Sequence, residues 1–70
     1  MKINLNQQEI NALNMLRDFY EAYSEGCKTI ETLFDKDTLR KLEIIDFIFK
    51  TGEGYFISTL GREYLDEIDG

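Results

Sequence analysis

The chain has 70 residues, 43% of them hydrophobic and 13% aromatic, with 14 acidic residues against 8 basic ones and a formal net charge of −6. So short a chain holds one domain at most and hides about 60–65% of the surface it exposes when unfolded. The apolar content excludes a disordered acidic tail, and the negative charge disfavours any surface-wide attraction to nucleic-acid phosphates or anionic membranes.

From the N-terminus, Met1-Lys2-Ile3-Asn4-Leu5 lacks the apolar core of a signal peptide, and no later run approaches the roughly 18 apolar residues of a membrane span, so a cytoplasmic protein is expected. Ile3 and Leu5 alternate with polar neighbours and predict a short strand or extended arm, while Asn6 with Glu9 three residues later is a helix N-cap signature. The first helix carries two adjacent apolar stripes, Leu13-Leu16-Tyr20-Tyr23 and Ala12-Met15-Phe19-Ala22, which together cover about half its circumference at 3.6 residues per turn. Gly26 is the expected stop. Cys27, the only cysteine, has no partner for an internal disulfide, fits a reducing compartment and reads as a small filler. Thr29 is expected to cap a short second helix with Ile30, Leu33 and Phe34, and Asp35 or Asp37 a third with Leu39, Leu42 and Ile45 inward. From Phe47 the period falls to two: Phe47–Lys50 and Tyr55–Ser58 predict strands joined by Thr51-Gly52-Glu53-Gly54, whose glycines permit positive φ. Ser58 then caps a last helix with Leu60, Tyr64, Leu65 and Ile68 along one stripe. No proline, repeat or linker marks a boundary, so residues 1–70 form one α+β domain.

The segment Tyr55-Phe56-Ile57-Ser58-Thr59-Leu60-Gly61-Arg62-Glu63-Tyr64-Leu65 resembles the close of the wing in winged helix-turn-helix regulators, an aromatic-x-apolar-Thr/Ser-x-x-Gly stretch followed by a short helix. Leu39–Ile48 is similar to the family's passage from third helix to wing, except that Asp46 stands where glycine is common. The resemblance runs over nearly the whole chain and implies a winged helix: short N-terminal strand or arm, three helices, β-hairpin wing and C-terminal helix.

For function, the resemblance implies a non-catalytic DNA-binding regulator whose third helix, residues 36–45, enters the major groove while the wing, residues 50–55, touches the backbone. Lys36, Thr38, Arg40, Lys41 and Lys50 are then the expected contacts, Arg40 to a base edge and the lysines to phosphate. The same charges also suit a solvated helix face with an ordinary Asp37–Lys41 pair, and Lys50 is opposed by Glu53 in the wing. A homodimer is expected, because two-fold pairing doubles the contacts of a module with so few cations.

Surplus apolar surface supports an alternative. The second stripe of the first helix (Ala12, Met15, Phe19, Ala22) and an outward Ile44 suggest a protein interface, and the hairpin is apolar on both faces unless Ile3-Leu5 covers one as a third strand. Glu63, Asp66, Glu67 and Asp69 outnumber Arg62 on the last helix, a solvated face or a surface for a basic protein groove. On this reading the chain is an acidic adaptor or inhibitor, of the kind encoded by phages and mobile elements, acting on nucleic-acid-handling machinery.

Enzymatic readings fail on inventory. Without histidine and with one cysteine, Ser-His, Cys-His and zinc arrangements lack their parts. Asp35-Lys36-Asp37-Thr38-Leu39 breaks a calcium-loop pattern after two positions, and Gly52-Glu53-Gly54 lacks the length and the lysine of a phosphate-binding loop. No cofactor, metal or small-molecule substrate is expected.

Overall fold

In the computed structural model, which describes residues 3–69, the first helix, α1, spans Gln7–Tyr23. Its start follows from a complete capping box: the Asn6 side chain accepts from Glu9 N–H at 2.8 Å, and the Glu9 carboxylate accepts from Asn6 N–H at 2.8 Å. Its end lies earlier than the expected Gly26, because Ser24 takes the left-handed conformation (φ 54°) and donates its N–H to the Tyr20 carbonyl. Gly26 serves a different need: a Cβ there would lie 2.8 Å from the Glu53 carbonyl oxygen and from the Phe56 ring.

Two short helices follow, α2 (Ile30–Leu33) and α3 (Lys36–Ile44). Neither Thr29 nor Asp35, their N-cap residues, caps with its side chain; the Thr29 hydroxyl lies instead 3.5 Å from the Cys27 sulfur. Ile30, Leu39 and Leu42 are buried, Phe34 and Ile45 are half-buried, and Leu33 is exposed. The chain then turns through Asp46, at φ 63°, the left-handed region that glycine favours.

Strands β1 (Ile48–Thr51) and β2 (Gly54–Ile57) pair antiparallel in the register Ile48↔Ile57, Phe49↔Phe56, Lys50↔Tyr55 and Thr51↔Gly54. Of the two turn glycines only Gly54 uses a positive φ, at 121°, and its missing side chain also lets the Cys27 backbone approach. That approach forms a bridge at the outer edge of β2: Cys27 N–H donates to the Tyr55 carbonyl at 2.9 Å, and Tyr55 N–H to the Cys27 carbonyl at 3.0 Å. Cys27 thus takes the place beside the sheet that the sequence suggested for Ile3-Leu5. The arm forms no strand; Ile3 and Leu5 pack half-buried on the core, and Leu5 N–H faces the Tyr64 hydroxyl at 3.4 Å. Met1 and Lys2 lie outside the described residues.

Helix α4 (Thr59–Asp69) is capped as expected: Ser58 Oγ accepts from Gly61 N–H at 3.1 Å while its hydroxyl donates to the Asp46 carbonyl. Ser58 N–H also donates to the Phe47 carbonyl at 2.9 Å, so one residue ends the strand, starts the helix and secures the turn before β1. The inward residues of α4 are Gly61 and Leu65; Leu60 and Ile68, expected inward, are exposed. A Cβ at Gly61 would stand 2.5 Å from the Phe47 carbonyl oxygen, and that close approach turns the helix so that Leu60 faces outward.

The result is an α+β arrangement of four helices and one two-stranded hairpin, in an order compatible with a winged helix. α1 lies at the centre, against α3, β2 and α4. Its core residues are Ala12, Leu13 and Leu16, joined by Cys27, Ile30, Leu39, Leu42, Phe47, Ile48, Tyr55, Ile57 and Leu65. Among the described residues no helix is long and apolar enough to cross a membrane.

Candidate functional site

Two surfaces compete. The first is the outer face of α3 with the adjoining side of the hairpin. Lys36 and Arg40 are exposed there, as their helical spacing predicts, while Thr38, an expected contact, is half-buried. Lys41 is committed elsewhere: its ammonium lies 3.1 Å from Glu9 Oε2 and 3.2 Å from Oε1, and Glu9 is buried. The expected Asp37–Lys41 pair is therefore replaced by a link from α3 to the cap of α1. Lys50 pairs with Glu31 of α2 at 3.0 Å, not with Glu53, and sits 5.5 Å above the Tyr55 ring.

The electrostatics follow from these partners. The Lys50 ammonium holds the Glu31 carboxyl below its usual range, and Glu31 in turn raises Lys50. Tyr55 is pushed up, first by burial and then by the charge of Glu43. The cleft between α2, α3 and the hairpin thus combines Lys36, Arg40 and Lys50 with Glu31 and Glu43. Of the five cation-and-hydroxyl contacts expected for DNA, only Lys36 and Arg40 are exposed cations without an ion pair among the described residues.

The second surface lies on the opposite face of the hairpin. Strand alternation puts Ile48, Tyr55 and Ile57 into the core, so Phe49 and its cross-strand partner Phe56 must face away. Their rings stack at 5.5 Å with an interplanar angle of 11°. Tyr20 from α1 meets Phe56 edge-on at 5.9 Å, and the Arg62 guanidinium lies over Tyr20 at 5.0 Å. Phe49 is 47% exposed, Leu60 45% and Tyr20 37%. Together they line an open groove of about 1020 Å³ that runs along the hairpin, with Asp46 and Glu53 in its wall.

The interface expected on α1 is only partly present. Ala12 is fully buried in the core and has nothing to offer a partner; Met15 and Phe19 are half-buried against that core, and Ala22 is exposed. The two stripes merge at Ala12-Leu13-Leu16, while toward the C-terminal end Tyr23, expected inward, is exposed. Ile44 points outward as expected, at 72% exposure. Sequence reasoning named none of Tyr20, Phe49, Phe56 and Leu60 as interface residues: Tyr20 and Leu60 fall on apolar stripes of their helices, and the two phenylalanines enter only through a hairpin apolar on both faces. The legible signal was the pairing of two aromatics, Phe49 and Phe56, at facing positions of one hairpin. Among the described residues no group of three or more acidic or cysteine side chains is placed to hold a metal ion. Comparison with protein-family models, with curated proteins and with solved structures gives no match to this chain.

Proposed function

We propose that this chain is a non-catalytic winged-helix module that binds another protein through the outer face of its hairpin. The fold part of this reading is supported by the element order, by the Ser58 cap at the end of the hairpin, and by Asp46, which adopts the left-handed backbone where the family commonly has glycine. The functional part rests on one observation: Tyr20, Phe49 and Leu60 stay exposed in a row around the half-buried Phe56 although the chain has a closed core elsewhere. Apolar surface gathered in one groove marks an interaction site more often than scattered exposed residues do. The test is affinity capture from nuclease-treated extract of the native host by the wild-type chain and by Phe49→Ser, Leu60→Ser and Arg40→Ala. A protein held by wild type and Arg40→Ala but lost with the two groove variants supports the proposal; equal capture by all four contradicts it.

A second reading, a DNA-binding regulator, is favoured by Lys36 and Arg40 on α3, which have no ion pair among the described residues. With Lys41 and Lys50 engaged by carboxylates, the counterion release available from this face is small. Binding to a duplex library at low salt that disappears in Arg40→Ala and persists in Phe49→Ser would establish this reading over the first.

A further inference from the structure

The groove carries information about its occupant. Resting on the protein-binding reading, we propose that the segment it receives is cationic: an apolar anchor seated on the Phe49–Phe56 pair, with a basic side chain on each side of that anchor. Asp46 and Glu53 both line the groove, and neither has an ion-pair partner among the described residues. They stand beyond opposite ends of β1, whose four residues span about 10 Å at a rise of about 3.3 Å per residue. The aromatic row lies between them. The groove's one cation, Arg62, is placed over the Tyr20 ring, on the α4 side of the row.

Charge also argues against a second copy of this chain as occupant. Each copy carries −6, and one pressed against the groove would bring more carboxylates toward Asp46, Glu53 and the acidic α4, where Glu63, Asp66 and Glu67 are all exposed. A partner with lysine or arginine at both flanks meets the opposite sign at each end.

Two designed peptides with the same Leu-Phe anchor, one flanked by lysines and the other by glutamates, test this by titration into the ¹⁵N-labelled protein. The lysine peptide should bind at least about tenfold more tightly, shift the amides of residues 46–62, and lose that advantage in the Asp46→Asn/Glu53→Gln double variant. Phe49→Ser should abolish its binding at the groove while leaving the rest of the spectrum folded. Equal binding of both peptides at the groove would overturn the charge inference and leave protein docking standing. Binding of the lysine peptide only along α4, or by neither peptide at the groove, would overturn it as well. So would groove shifts that grow with protein concentration alone, since these would name a second copy as the occupant. The protein-binding reading itself falls only if the groove variants capture what the wild type captures.

Discussion

Lys41 reaches Glu9 across 32 positions of chain, and this contact changes what a basic residue on α3 means. Glu9 is buried and already accepts from Asn6 N–H, so the ammonium completes a carboxylate that would otherwise sit inside the fold without a countercharge. Lys41→Met should therefore lower stability, by about 1–2 kcal/mol, the modest figure reflecting a lysine half in water. Urea melts check this, with Arg40→Ala expected to match wild type. Any loss of binding in an Arg40/Lys41 double variant would consequently mix folding with recognition. At the hairpin the titrating groups set a pH window. Tyr55 and Lys50 both have folded values raised above their unfolded ones, so the stability they contribute is complete below about pH 10 and is lost as pH rises through the folded values. Glu31 is depressed, so its contribution is complete above about pH 4.5 and is lost as pH falls through its folded value. Stability should be flat between those limits, and Tyr55→Phe should make the alkaline fall shallower; an unchanged alkaline limb in that variant would remove Tyr55 from the account.

At the scale of elements, α4 is held by two kinds of contact that fail differently. Leu65 is fully buried, and Leu65→Ala should cost about 2–5 kcal/mol through the lost apolar volume. Ser58→Ala removes an acceptor for Gly61 N–H and a donor to the Asp46 carbonyl, at about 1–2 kcal/mol. Thermal melts of both variants check the order; Leu65→Ala as stable as wild type would mean that α4 is not docked in solution. Features set within a few residues were readable from the sequence: the Asn6–Glu9 box, the hairpin and the Ser58 cap all depend on neighbours in the chain. Features set by distant backbone were not. Gly26 resembles a helix stop, yet its use is to admit the Glu53 carbonyl and the Phe56 ring, which only the folded hairpin brings near. Leu60 reads on the same helical stripe as Leu65, but the approach of Gly61 to the Phe47 carbonyl keeps the Leu65 side inward and leaves Leu60 exposed. The ion pairs Lys41–Glu9 and Lys50–Glu31 likewise join positions that local spacing cannot connect.

For the whole molecule, the two candidate surfaces lie on opposite faces of the hairpin and differ in what remains free. Among the described residues, the α3 face keeps two unpaired cations among carboxylates, and the groove face keeps an aromatic row between two unpaired carboxylates. With a net charge of −6, long-range electrostatics steer the chain away from phosphate and toward basic protein surface. The most direct test of which face works is a footprint of the ¹⁵N-labelled protein in extract from its native host, with and without nuclease. Docking through the groove predicts that amides of Tyr20 and of residues 46–62 broaden, that nuclease leaves this unchanged, and that Phe49→Ser restores sharp lines. Broadening centred on residues 36–41, removed by nuclease and by Arg40→Ala, would contradict the account and make α3 the working surface.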